Sequence, residues 1–79
     1  MKVVLSDRAI EALKDAPVAV ERAFYKQLRF LEGNLLHPSL HAKKYDETAD
    51  LWQARVNRDW RFYYAGDPYR IKDVIPHPK

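Results

Sequence analysis

The chain has 79 residues and a mass of 9.3 kDa, which allows one small domain spanning residues 1–79. Hydrophobic residues make up 47% of it and charged residues 32%, so we expect a folded chain rather than a disordered tail. The absence of cysteine excludes a disulfide scaffold, a thiolate zinc site and a cysteine nucleophile. No apolar run in the sequence is long enough to cross a membrane, and we expect a cytoplasmic protein. The formal net charge of +3 fits either a solvated basic surface or an anionic partner.

Two helices are predicted in the first half of the chain, after a short strand-like run at residues 2–5. Ser6 suits the N-cap of the first helix, and Pro17 breaks that helix and opens the second. In the second helix, apolar residues recur at steps of three and four, at Val20, Phe24, Leu28 and Leu31. Gly33-Asn34 is a signal for its C-terminal end.

The second half of the chain reads as a loop followed by strands. Residues 37–50 are polar and lack a helical stripe, so we expect a loop with at most a short extended piece at Lys43–Tyr45. Turn signals at 57–59 and 65–68 separate three strand-like runs, Leu51–Val56, Trp60–Tyr64 and Tyr69–Ile75. The order β-α-α-β-β-β predicts an α+β fold, in which two N-terminal helices pack on one face of a mostly antiparallel four-stranded sheet.

Side-chain alternation predicts the register of the first hairpin of this sheet. The apolar side chains of its two strands must share the helix face, and they are Trp52, Ala54 and Val56 with Trp60, Phe62 and Tyr64. A three-residue loop at 57–59 achieves this, whereas a two-residue loop inverts one strand. The register places Arg55 opposite Arg61, and Gln53 opposite Tyr63, on the face that the helices leave open.

A four-residue loop to the last strand would extend these pairs into two rows, Arg55–Arg61–Lys72 and Gln53–Tyr63–Arg70. Like charges so placed lie about 5 Å apart and cost about 0.2–1 kcal/mol per pair. We interpret the surface as one shaped for phosphates and bases, the alternative being that the long stems splay apart in water. The same register puts Asp73 on the helix side near Trp60, unless the last strand contains a bulge.

RNA cleavage without metal needs a base for the 2′-hydroxyl, an acid for the departing 5′-oxygen, and cations around the phosphate. Arg55 and Arg61 are candidates for the cations, and Lys43-Lys44 precede the sheet. His77 is a candidate acid or base, because histidine exchanges protons near neutral pH. It follows the last strand between two prolines and is either a frayed tail or a site residue. Asp59 lies in the hairpin turn, where turn formation is its alternative role.

Two other histidines have the spacing of a helical zinc pair. His37 and His41 are four residues apart, but Pro38 argues against a helix and no third ligand is evident. We therefore expect neither a metal nor a cofactor.

The chain resembles the RelE/ParE superfamily of bacterial toxins from type II toxin–antitoxin systems. The pieces that carry the resemblance are His37-Pro38 with Lys43-Lys44, the stretch Leu51–Arg61, and Asp73-Val74 with His77. The element order is also that of the family, so the resemblance covers about the whole chain. It implies a small toxin neutralised by a cognate antitoxin. Most RelE-like members are ribosome-dependent endoribonucleases that cut mRNA and inhibit translation, whereas ParE-like members poison DNA gyrase.

The resemblance also implies roles for single residues. Arg61 matches the arginine that holds phosphate in the nucleases, and Asp59 and His77 match an acid and a histidine of one nuclease branch. That branch has a histidine where Arg55 stands, which leaves Arg55 as a phosphate ligand. The implied catalytic set is Arg61, His77, Arg55 and Asp59, and the implied substrate-binding set is Lys43, Lys44, Arg58, Tyr63, His41 and Lys72. Many nuclease members continue to a catalytic tyrosine or a C-terminal helix. This chain stops at Lys79, so either Tyr63 or His77 serves instead, or activity is reduced.

Together these features predict an mRNA endonuclease that acts in the ribosomal A site. Two alternatives stay open, a ParE-like gyrase poison without nuclease activity and a catalytically inactive basic module that binds RNA or an antitoxin. A basic face and a small core also favour an acidic, partly disordered antitoxin that folds on binding.

Overall fold

Five strands and two helices make up the part of the chain that the computed structural model describes, residues 3–33, 37–46, 48–65 and 69–77. In chain order the elements are β1 (Val3–Leu5), α1 (Asp7–Asp15), α2 (Val18–Gly33), a 3₁₀ turn (Pro38–Leu40), β2 (Lys43–Asp46), β3 (Leu51–Arg55), β4 (Trp60–Ala65) and β5 (Tyr69–Pro76). The predicted α+β class is confirmed, with one strand more than the four expected. Neither helix within these ranges has the length and apolar character needed to cross a membrane.

The helices begin and end where the capping residues indicate. The Ser6 hydroxyl accepts a hydrogen bond from the Ala9 N–H at 3.1 Å, which confirms Ser6 as the N-cap of α1. Helix α2 ends at Gly33, while Asn34 lies outside the described residues. The predicted apolar stripe of α2 is buried, at Val20, Phe24, Leu28 and Leu31.

The strands form one mixed sheet in the order β1-β5-β4-β3-β2. Strand β1 runs parallel to β5, and the other neighbours are antiparallel. The core lies between the helices and one face of the sheet, where Phe24 of α2 meets Phe62 of β4 edge-to-face at 5.4 Å. Trp52 and Trp60 are partly buried against that core. The opposite face carries the side chains that alternate with the core residues.

The predicted hairpin register is confirmed. Gln53 lies opposite Tyr63, and Arg55 lies opposite Arg61. Asn57 closes the loop, because its Oδ1 accepts from the N–H groups of Asp59 at 2.9 Å and Trp60 at 3.0 Å. This side-chain bond mimics a backbone turn, which explains how a three-residue loop joins the two strands.

The predicted pairing of the last strand is wrong for two reasons: Tyr64 lies opposite Ile71, two residues further along β5 than predicted, and a bulge at Lys72 adds one more residue. Arg61 lies opposite Ile75 rather than Lys72, and Tyr63 lies opposite Asp73 rather than Arg70. The extra residue reverses the alternation along β5. Its buried positions are therefore Tyr69, Ile71 and Val74, and Asp73 stays out of the core.

Ser6 connects this bulge to the start of α1. Its N–H donates to the Ile71 carbonyl and its hydroxyl donates to the Lys72 carbonyl, each at 3.0 Å. The Asp73 carboxylate lies 3.2 Å from Arg8 Nε on the same helix. The bulge is thus held by groups from the first turns of α1. Residues 66–68 of the predicted loop between β4 and β5 lie outside the described part of the chain.

Strand β2 lies where the sequence predicted a loop with a short extended piece at Lys43–Tyr45. It pairs Lys43 with Gln53 and Lys44 with Trp52, at the edge of the sheet. All four residues of Lys43–Asp46 are exposed, so the strand shows no alternation of apolar and polar side chains. A strand whose side chains are all exposed leaves little trace in hydrophobic periodicity.

Candidate functional site

A cavity of about 360 Å³ opens on the sheet face that lies opposite the helices. Five segments build it: the loop before β2, the start of β2, strand β3, strand β4 and the residue that follows β5. Its lining residues are 41–43, Gln53, Arg55, Arg61 and His77. Five side chains that the sequence singled out are therefore brought together here, His41, Lys43, Arg55, Arg61 and His77. Their catalytic and binding roles stay predictions.

The Arg61 guanidinium is anchored on the hairpin turn. Its Nη1 donates to the carbonyl oxygens of Asn57 at 2.8 Å, Trp60 at 2.9 Å and Arg58 at 3.4 Å. Burial, and then the neighbouring charge of Arg55, lower the pKa of Arg61. Because a guanidinium nevertheless stays protonated in proteins, Arg61 presents a fixed positive charge with donors free for an external acceptor.

Arg55 faces Arg61 across the hairpin and adds a second guanidinium to the cavity. Its Nε is buried and has no hydrogen-bond partner within the described residues. The ion pairs in those residues, Arg8–Asp73 and Lys44–Asp50, involve neither arginine. A buried donor without an acceptor and a pair of like charges both raise the free energy of the unliganded fold. An anion with several oxygen acceptors would relieve both.

His77 reaches the cavity from the end of β5. Its backbone N–H donates to the Asp59 carbonyl at 2.7 Å, which ties it to the hairpin turn. The residue is exposed and lines the cavity beside Arg61. This placement brings His77 next to the arginine pair, and its role as a site residue stays a prediction.

Gln27 is a buried amide that the sequence analysis missed. From α2, its Nε2 donates to the carbonyl oxygens of Ser39 at 2.8 Å and Arg55 at 2.9 Å, and its Oε1 accepts from the Ser39 hydroxyl at 3.2 Å. It thus joins the 3₁₀ turn that leads to His41 with the end of β3. The available signal was its position, three residues after Phe24 in an otherwise apolar stripe.

The two spaced histidines have separate environments. The His37 ring stacks on Phe30 at 3.7 Å with an interplanar angle of 7°, and its Nδ1 lies 3.0 Å from the Ser39 hydroxyl. His41 adopts the left-handed backbone conformation with φ 46° and lines the cavity. Across the described ranges, no three histidine or carboxylate side chains lie close enough together to hold a metal ion.

Five residues of the predicted sets lie outside the cavity lining: Lys44, Arg58, Asp59, Tyr63 and Lys72. Lys44 pairs with Asp50 at 2.8 Å and sits over the Trp52 ring at 5.0 Å. Lys72 is the exposed bulge residue of β5. Arg58 and Asp59 are exposed in the turn and contribute backbone carbonyls, to Arg61 and His77.

Tyr63 borders the cavity through Gln53. The Gln53 Nε2 donates to the Tyr63 hydroxyl at 2.9 Å, and Gln53 itself lines the cavity. The sequence placed these two residues opposite each other but assigned no role to Gln53. The hydrogen bond fixes both side chains beside the arginine pair.

Comparisons with known proteins find similar folds rather than similar sequences. No protein-family model matches the chain, and no curated protein sequence matches it. Among solved structures, the YoeB dimer from Staphylococcus aureus is similar with a TM-score of 0.80 and 18% identity, over 99% of this chain and 98% of that one. RelE of the archaeal RelE–RelB complex from Pyrococcus horikoshii has a TM-score of 0.76 and 24% identity, over 95% and 92%. YafQ from E. coli has a TM-score of 0.73 and 15% identity, over 96% and 92%. This likeness shows the fold.

Proposed function

We propose that the chain is the toxin of a type II toxin–antitoxin system and cleaves mRNA on the ribosome without a metal ion. The observation that carries the proposal is the Arg55–Arg61 pair, which shares one cavity with His77 and forms no ion pair within the described residues. The fold, shared with the YoeB, RelE and YafQ structures, supports the same reading. A nuclease that acts on ribosomes would work in the cytoplasm.

The chemistry that fits the cavity is attack of a ribose 2′-oxygen on the adjacent phosphorus. The 2′-oxygen–phosphorus bond forms, the bond to the 5′-oxygen breaks, and a 2′,3′-cyclic phosphate remains. Arg61, anchored on three carbonyls, and Arg55 stabilise the charge that develops on the phosphate oxygens. His77 exchanges one of the two protons of this step, taking it from the 2′-hydroxyl or giving it to the departing 5′-oxygen, and solvent water exchanges the other. Lys43 and His41, on the opposite rim, hold the neighbouring backbone.

A cognate antitoxin is the expected protein partner. Several structures of similar fold are complexes, including the RelB–RelE antitoxin–toxin complex from Methanococcus jannaschii and the YoeB–YefM complex from Staphylococcus aureus. An acidic segment that reaches the cavity would neutralise the two guanidinium groups and block access of RNA. Charge complementarity of this kind favours fast association.

Induced expression in bacteria, followed by mapping of mRNA 5′ ends, tests the nuclease proposal. We expect new 5′ ends with the wild-type chain and none with Arg61→Ala. Arg22→Ala is the matched control, because it removes the same charge from an exposed position on α2. Growth arrest with intact transcripts would contradict the proposal. If double-strand DNA breaks accompany that result, the ParE-like alternative replaces it.

A further inference from the structure

Two tyrosines lie beside the cavity on the open face of the sheet. The rings of Tyr45 in β2 and Tyr63 in β4 meet edge-to-face, with centroids 5.1 Å apart and an interplanar angle of 74°. Tyr45 is 59% exposed. Gln53 connects this pair, the tyrosine shelf, to the cavity through its bond to the Tyr63 hydroxyl.

The strand geometry sets the distance between the shelf and the arginine pair. Tyr63 follows Arg61 by two residues in β4, so both side chains project from the same face about 6.8 Å apart. Gln53 and Arg55 have the same relationship in β3. A phosphate held by Arg55 and Arg61 therefore has an aromatic surface within reach of a nucleobase on the same strand.

We propose that the tyrosine shelf stacks an unpaired nucleobase of the RNA whose phosphate Arg55 and Arg61 hold. This inference rests on the proposed function and adds a base-binding subsite to it. Unpaired bases stack on exposed aromatic side chains, and every base has a face that can do so. The bond from Gln53 to the Tyr63 hydroxyl holds the Tyr63 ring in place, and contact with the ring faces accepts any base.

Binding of a single-stranded RNA oligonucleotide tests the inference without cleavage. The probe is a 2′-O-methyl oligonucleotide with one 2-aminopurine, because methylation blocks the attacking hydroxyl and stacking quenches the fluorescence of 2-aminopurine. At low salt we expect the wild-type chain to bind and quench it. Tyr45→Ala should abolish the quenching and weaken binding roughly 5- to 150-fold, the effect of losing one base stack. Tyr45→Phe should retain both.

Two controls separate stacking from a general effect on the fold. Tyr25→Ala removes a tyrosine that is 46% exposed on α2 and should leave binding unchanged. An oligonucleotide with abasic sites should bind the wild-type chain and Tyr45→Ala equally well. Thermal unfolding of each variant checks that it is folded.

The inference is overturned if the wild-type chain does not quench or bind the probe, or if Tyr45→Ala binds and quenches as the wild type does. If Arg61→Ala loses binding of the oligonucleotide while Tyr45→Ala binds it as the wild type does, the stacking role of the tyrosine shelf is rejected and the phosphate site is retained. Conversely, if mRNA stays intact in cells but the wild-type chain still quenches the oligonucleotide, the nuclease proposal is rejected and the stacking inference is retained.

Discussion

The backbone N–H of His77 donates to the carbonyl oxygen of Asp59 over 2.7 Å. This bond joins the residue after β5 to the turn between β3 and β4, and so holds an exposed imidazole beside Arg61. Asp59 contributes its backbone oxygen to the site, while its side chain lies outside the cavity lining. Of the two residues that the family resemblance implies as catalytic, His77 therefore brings its side chain to the cavity, whereas Asp59 brings only its backbone carbonyl.

Replacing the His77 side chain should remove activity without loosening the fold. His77→Ala keeps the bond from its N–H, so we expect an unfolding free energy within about 0.5 kcal/mol of the wild type. Cleavage should fall about 10²- to 10⁴-fold, the usual contribution of one acid or base. Asp59→Asn keeps the same carbonyl and should retain most of the activity. Equal losses in the two variants would restore a catalytic role to the Asp59 carboxyl group.

Replacing Arg55 should stabilise the chain while it weakens phosphate binding. Arg55→Leu removes a like-charged neighbour of Arg61 and a buried Nε that has no partner in the described residues. We expect the unfolding free energy to rise by about 0.2–1 kcal/mol at low salt, and the gain to shrink as salt screens the repulsion. Sulfate should raise the melting temperature of the wild type more than that of Arg55→Leu. Denaturant unfolding at two salt concentrations measures the first effect. A destabilised Arg55→Leu would mean that its aliphatic stem matters more than its charge.

Gln27 should matter for both stability and site geometry. Gln27→Met has a similar length but no donors, so it leaves the carbonyl oxygens of Ser39 and Arg55 without this partner. We expect a loss of about 1–3 kcal/mol in unfolding free energy. RNA binding should weaken even where the variant is fully folded, because the 3₁₀ turn and the end of β3 lose their shared contact. Lys26→Met, at the neighbouring exposed position, is the control for both measurements. Wild-type binding by folded Gln27→Met would show that the loop holds its place unaided.

Tyr64 should make the chain sensitive to alkali. Burial, and then Tyr69, raise the pKa of Tyr64 to about 12 from the ordinary value of 10.0. The folded state then holds this proton more tightly than the unfolded chain does. The contribution of protonated Tyr64 to the free energy of unfolding is therefore complete below about pH 10 and is lost as pH rises through about 12.

Tyr64→Phe tests that contribution, because phenylalanine has nothing to titrate. Its unfolding free energy should fall less between pH 10 and 12 than that of the wild type. At pH 7 it should be at least as stable, since the Tyr64 hydroxyl is buried without a hydrogen-bond partner within the described residues. Denaturant unfolding across this pH range measures both effects, with Tyr25→Phe as the exposed control. Parallel curves for wild type and Tyr64→Phe would contradict the assignment.

The hairpin that carries the two arginines was predictable because its sequence alternates. Six apolar side chains on β3, β4 and the residue after β3 can share one face in one register, and that register fixes Arg55 opposite Arg61. The conflict over Asp73 was equally informative, since a charged residue assigned to the core side indicated the irregularity that the structure shows at Lys72.

The parts that the sequence did not reveal depend on contacts across the fold. Strand β2 is exposed along its length, so backbone pairing with β3 defines it rather than its own pattern. The bond between Gln27 and Arg55 joins residues 28 positions apart. The sequence placed Lys43-Lys44 together as RNA contacts. Adjacent residues of a strand face opposite ways, so Lys43 lines the cavity while Lys44 pairs with Asp50, and their RNA-binding roles stay predictions.

Because Lys72 is an extra residue in β5, a deletion at Lys72 should leave the site in place, whereas a deletion elsewhere in β5 should displace it. Removing Lys72 would leave Ile71 beside Asp73 and restore an unbroken ladder in which Tyr63, Phe62 and the residues before them keep their partners. Removing a residue between Val74 and Pro76 would instead draw His77 one step back into the strand and turn its imidazole toward the helix side. Insertions and deletions that evolution accepts in this strand should therefore gather at Lys72.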